Sequence, residues 1–290
     1  MSGSRAEASA PAATAADLPI GVFDSGVGGL TVLRALRSAL PDERFIYLGD
    51  TARLPYGTKS GETVTRYAEQ ATRVLVGRGI KLLVVACNTA SSVALGHLAA
   101  VFAPLPVIGV IEPGAAAAGA ASASGLIGVI ATEGTVRGGA YERAIRAVRP
   151  GADVVSVACQ LFVALAEEGW IDGPVAEAVA QRYLANVVGE RPTLDCLVLG
   201  CTHFPVLRQA IAAAVGPRVR LVDSAETTAE VVVDCLLRSD LRAGHRTREG
   251  GAGQAGVRFL ATDAPGRFAR VGAVFLGEAI APEDVELVDL

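Results

Sequence analysis

Short runs of Val, Ile and Leu recur along the chain, most of them closed by a polar residue or cysteine. They are IGVFD (20–24), RFIYLGD (44–50), KLLVVAC (81–87), PVIGVIE (106–112), GLIGVIA (125–131), ADVVSVAC (152–159), DCLVLGC (195–201), RVRLVD (218–223) and VRFLATD (257–263). Continuous apolar runs of this length predict strands covered on both faces, and nearly every gap between them is long enough for a helix. The alternation predicts the doubly wound α/β class with mostly parallel sheets.

Two of these patterns return. IGVFDSGVGGLTVLRAL (20–36) resembles IGVIATEGTVRGGAYERAI (127–145), and KLLVVACNTAS (81–91) resembles DCLVLGCTHFP (195–205). Both pairs keep the same order at a separation of roughly 110 residues, which predicts two related α/β halves facing a shared cleft, each supplying one thiol. The Gly-rich segment 243–256 reads as an exposed loop, and residues 1–17, rich in Ala, Ser, Thr and Pro, read as a disordered tail.

Composition narrows the classes. With 290 residues, 51 % of them hydrophobic, the chain can bury a full core. A net charge of −4 without a Lys/Arg block gives no footprint for a phosphate backbone, so no direct nucleic-acid contact is expected. The N-terminus lacks an apolar signal core, and no run nears the ~18 apolar residues of a spanning helix. The expectation is a soluble cytoplasmic protein without membrane contact. Five cysteines, at 87, 159, 196, 201 and 235, form no C-x-x-C pair and are read as free thiols. Cys196, Cys201 and His203 are set aside as metal ligands because the two cysteines flank a strand.

In open α/β sheets, ligands bind beyond the carboxyl ends of the strands. Asp24 and Ser25, Asp50 and Thr51, Asn88 and Thr89, Thr132, and Thr202 and His203 fall there. Asp223, Ser224 and Thr132 are read as helix caps. DSGVGGLT (24–31) has neither GK[ST] nor the G-x-G-x-x-G spacing, so its glycines are read as room for a small anion at a helix start. Pro55, Tyr56 and Gly57 read as a turn whose amides could face a carboxylate.

The two thiols in matching contexts carry the chemistry. A thiolate on one face of a carbon and a thiol on the other can remove and return a proton with inversion, the work of a two-base racemase or epimerase. No lysine stands out as a Schiff-base partner, so pyridoxal phosphate is not indicated and no cofactor is expected. Cys159, Cys196 and Cys235 read as small buried hydrophobes.

Taken together, IGVFDSGVGGLTVL, YLGDTARLPYG, VVACNTAS and LGCTHFPVL resemble the cofactor-independent glutamate racemases of the aspartate/glutamate racemase superfamily, over residues 18–280. The resemblance implies that Cys87 acts on D-glutamate and Cys201 on L-glutamate, with Asp24 and His203 as their polar neighbours and Glu167 as a further acidic assistant. It implies substrate contacts at Asp24, Ser25, Pro55, Tyr56, Gly57, Cys87, Asn88, Thr89, Cys201, Thr202 and His203. The implied division is 18–110 plus 219–290 for the first domain and 111–218 for the second, with the active site in the interdomain cleft. The implied role is D-glutamate supply for peptidoglycan synthesis; the expected partner is glutamate, and a homodimer is expected. ACQLFVALAEEG (158–169) departs from the family by carrying Gln160 and Ala164 where prolines are common. An aspartate racemase and a binding protein on the same scaffold are the rival readings.

Overall fold

A computed structural model describes residues 14–244 and 256–290. Among the described residues, the strands are β1 (Ile20–Asp24), β2 (Phe45–Gly49), β3 (Leu82–Val85), β4 (Val107–Gly109), β5 (Leu126–Ala131), β6 (Asp153–Ala158), β7 (Cys196–Gly200), β8 (Arg220–Asp223), β9 (Val257–Ala261) and β10 (Val285–Leu287). They form one sheet in the order β10-β9-β2-β1-β3-β4 and another in the order β6-β5-β7-β8. Every pairing is parallel, as buried Val/Ile/Leu runs require.

The repeat seen in the sequence is a repeat of topology. The order β2-β1-β3-β4 in the first sheet is matched by β6-β5-β7-β8 in the second, and β9 and β10 extend the first sheet beyond β2. Two expectations change here. The return to the first unit, set at residue 219, comes later, because β8 pairs with β7 in the second sheet. The run 106–112 yields only the short β4, since Ile111 already begins the helix Ile111–Ala121, with Pro113 tolerated in its first turn.

Side chains alternate across each strand as period two demands. Ile20 and Val22 of β1 join a core that runs on through Leu126 and Ile130 of β5 into the second unit, so the seam between the sheets is itself apolar. Phe23 enters a second core under the helices Gly61–Gly77 and Asn88–Val101, and Ile127 and Val129 enter a third, against Tyr141 and Ile145. Each fully buried aliphatic side chain contributes roughly 1.5–3 kcal/mol.

Local chemistry fixes the helix starts on which the cleft depends. Ser60, Thr132 and Asp223 each accept a backbone N–H in the first turn of the following helix, as caps should. Of the expected disordered tail, residues 14–17 instead form a short 3-10 turn, Ala15–Asp17, stabilised by Thr14 and Asp17; residues 1–13 lie outside the described residues. So do residues 245–255 of the expected exposed loop. No helix among the described residues is long and apolar enough to cross a membrane.

Candidate active site

The carboxyl ends of β1, β3, β5 and β7 open onto one cavity, whose empty space of about 470 Å3 includes open solvent at its mouth. Ser25, Pro55, Tyr56, Gly57, Cys87, Asn88 and Thr89 line it from the first unit; Glu167, Cys201, Thr202 and His203 line it from the second. Asp24 is the exception among the expected contacts. It is fully buried beneath the cavity floor, with Oδ2 accepting the Gly26 N–H at 2.9 Å and Oδ1 without a partner.

Cys87 caps the helix Asn88–Val101, its sulfur accepting from the Ala90 N–H at 3.5 Å and lying 3.5 Å from the Ser25 hydroxyl. Burial, reinforced by the nearby Asp24 charge, pushes this thiol up to about 12 despite those two hydrogen bonds. Cys87 is therefore a neutral thiol in the free protein. Charge on Cys201 raises it further, so the two sulfurs share one electrostatic environment.

Cys201 is placed differently. The chain after it makes a turn and the 3-10 helix Phe204–Leu207 instead of entering an α-helix directly, with Pro205 lacking the N–H an α-helix interior would need. This turn brings His203 Nδ1 to 3.8 Å from the Cys201 sulfur, while Nε2 lies 3.3 Å from Glu167 Oε1. Burial disfavours a charged His203, yet the Cys201 sulfur and the Glu167 carboxylate outweigh it and raise the imidazole to about 10. For Glu167 burial again opposes charge, and hydrogen bonds from His203 and Arg267 hold the carboxyl below its ordinary range. His203 is thus an imidazolium at neutral pH, suited to steady a thiolate at Cys201.

The walls carry neutral hydrogen-bonding groups. Thr89, Thr132 and Thr135 form a triangle of hydroxyls 3.0–3.2 Å apart, spanning the two units. The Tyr141 hydroxyl donates to Asn88 Oδ1 at 2.7 Å, leaving Asn88 Nδ2 buried without a partner. Tyr56 is buried with its hydroxyl donating to Asp50, so its side chain braces the loop after β2.

Within 24–31, Gly28 has a packing role. A Cβ on Gly28 would lie 2.5 Å from His203 Nδ1 and 2.5 Å from Thr202 Oγ1, so glycine there lets the loop after β1 press against the loop after β7. On the opposite flank, a Cβ on Gly134 would lie 2.7 Å from the Gly57 carbonyl. Sequence reasoning missed Gly26, Leu54, Thr132, Gln160 and Val163 as cavity residues. Thr132 is a cap as read, and its hydroxyl also faces the cavity group Thr89. Gln160, noted only as a departure, lines the cavity with its buried amide oxygen unpartnered. Among the described residues, no group of three or more His, Cys, Asp or Glu is placed to hold a metal ion.

A family model described as Asp/Glu/Hydantoin racemase matches residues 20–232. This chain belongs to that racemase family. Within the family it is similar to a glutamate racemase of Geobacter metallireducens, 52 % identical over 89 % of this chain and 92 % of that one. The crystal structure of glutamate racemase from Francisella tularensis in complex with D-glutamate superposes with a TM-score of 0.85, 35 % identity, and coverage of 94 % of this chain and 98 % of that one. That of Thermus thermophilus in complex with β-chloro-D-alanine gives 0.82 and 43 %, covering 95 % and 98 %. The racemase read from the motifs, and its two-unit α/β fold, therefore stand.

Proposed function

We propose that this protein interconverts L- and D-glutamate by proton transfer at the α-carbon between Cys87 and Cys201. The observation that carries the reading is that the two thiols, from different sheets, line one cavity, Cys87 at a helix start beside Ser25 and Cys201 beside the His203 imidazole. In the L-to-D direction, Cys201 as thiolate takes the α-proton while His203 balances its charge. The neutral Cys87 thiol returns a proton to the opposite face, and the reverse direction runs the same path backwards.

Glutamate carries two carboxylates and an ammonium. Ser25, Asn88, Thr89, Thr202 and the backbone of Tyr56 and Gly57 supply neutral donors for the carboxylates, and Asp24 and Glu167 supply negative potential near the ammonium. Carboxylate charge grows as the α-proton leaves, and donors fixed in a water-poor cleft act on it more strongly than water would. The D-glutamate so formed would supply peptidoglycan synthesis. The compartment proposed is the cytoplasm, where five unpaired thiols stay reduced.

The test is circular dichroism of L-glutamate, and separately L-aspartate, incubated with the purified protein and no added cofactor. Decay to zero signal with glutamate alone supports the proposal. Decay with aspartate alone assigns the shorter acid, and a steady signal with both favours a binding protein.

A further inference from the structure

The helix Pro265–Leu276 belongs to the first unit, yet it touches the machinery of the second at two points. Arg267 Nη2 lies 2.8 Å from Glu167 Oε2, and the Phe275 ring meets the His203 ring edge-on with centroids 5.0 Å apart. The result is a line of alternating charge: Arg267 to Glu167 at 2.8 Å, Glu167 to His203 at 3.3 Å, His203 to Cys201 at 3.8 Å. Glu167 spends one oxygen on each neighbour, so Arg267 decides which way the carboxylate faces.

The start of this helix is held with some force. Ala264, just before it, has φ 48° and ψ 63°, a left-handed conformation that costs a non-glycine residue about 1 kcal/mol or more and persists only where its surroundings impose it. Thr51 and Asp263 impose it by exchanging hydrogen bonds at 2.6 and 2.9 Å, tying the helix start to the loop after β2. Arg267 is therefore presented to Glu167 from a fixed base. Its side chain is 46 % exposed, so the ion pair stabilises the fold little, and a contribution to folding does not account for the arrangement.

Resting on the proposed two-thiol reaction, we propose that Arg267 is a positioning residue for the Cys201 half of the site. It orients Glu167 so that His203 stays charged and turned toward the Cys201 sulfur. The charged and titratable groups facing His203 are Cys201, Glu167 and the buried Asp24; Arg267 faces Glu167, and Phe275 is uncharged. Removing Arg267 takes a positive charge from the line and frees Glu167 to turn away. A carboxylate turned away no longer holds the imidazole charged, so His203 gives up its proton at lower pH and a thiolate at Cys201 loses its counter-charge there.

The experiment is a double-mutant cycle of Arg267→Gln and Glu167→Gln, with Arg267→Lys as the conservative variant and the remote surface variant Arg191→Gln as control. Each is read as kcat/KM for both enantiomers across pH. The equilibrium constant between enantiomers is one, so kcat/KM must fall equally in both directions, which checks the assay. Arg267→Gln is expected to lower kcat/KM about fivefold to tenfold near neutrality and to move the alkaline limb of the profile downward. Arg267→Lys should recover most of this, and the double variant should be no worse than Glu167→Gln alone. Three results would each overturn the inference: an alkaline limb that stays in place, including one accompanied by a raised KM; losses that multiply in the double variant; or Arg267→Lys as impaired as Arg267→Gln. A wild-type protein that leaves glutamate unchanged overturns the functional reading instead.

Discussion

Gly28 of the loop after β1 leaves no room for a methyl group between itself and the imidazole of His203: a Cβ there would lie 2.5 Å from Nδ1. The contact crosses from one unit to the other, so the first half of the chain sets where the second half's imidazole stands. Gly28→Ala should push His203 off the Cys201 sulfur, lowering kcat by about tenfold or more. Steady-state kinetics beside far-ultraviolet circular dichroism checks this, the expectation being a lost rate in a folded protein.

Cys87 lines the cavity from the first unit and Cys201 from the second. Cys87→Ser and Cys201→Ser replace a group that can ionise with one whose hydroxyl ionises far less readily, and each should reduce racemisation by roughly 10^2-fold to 10^4-fold. Full activity in either variant, measured by loss of optical rotation, would refute the paired-thiol route.

Gln160 lines the cavity wall with an amide oxygen that no protein group engages. Gln160→Leu should therefore raise KM for glutamate severalfold while kcat changes little. A variant with unchanged KM would remove Gln160 from the substrate contacts.

At the other end of β3 from Cys87, Lys81 pairs with Glu43 at 2.5 Å in a site where both side chains are almost fully buried. Its ammonium also donates to the carbonyls of Ala16 and Leu241 at 2.6 and 2.7 Å. Lys81→Met strands the Glu43 carboxylate and should cost about 3–5 kcal/mol in equilibrium unfolding, and adding Glu43→Leu should recover much of it. Activity per folded molecule should not change in either variant.

Alkali should weaken the fold. Burial raises Cys87, Cys159 and Cys196 each to about 12, and Tyr47, Tyr56 and Tyr141 are also raised. A folded thiol that holds its proton more tightly than the unfolded one contributes stability in full below the unfolded value of about 8.5. That contribution shrinks as pH rises and is gone above about 12. The urea midpoint should fall steadily above about pH 9, and substituting Ala for Cys159 and Cys196 should flatten the decline.

Strand runs, helix gaps and the doubling of the pattern were all legible in the sequence, because burial on both faces leaves a continuous apolar signature and strand ends collect the polar groups. Cys87, Asn88, Thr89, Cys201, Thr202 and His203 could be named because each follows its strand directly. The membership of β8 was not legible, since an apolar run of four or five residues carries no mark of the sheet it joins. Nor was Arg267, a lone surface arginine 100 residues from Glu167 in the chain. The packing role of Gly28 was not legible for a related reason: a glycine in a loop signals close approach without saying what approaches, and here it is the opposite half of the molecule.

The matched strand orders of the two sheets place two halves of like construction in one chain. What other enzymes obtain by assembling subunits, this polypeptide holds within itself. Split between its halves, it would leave two sulfurs with nothing opposite either of them.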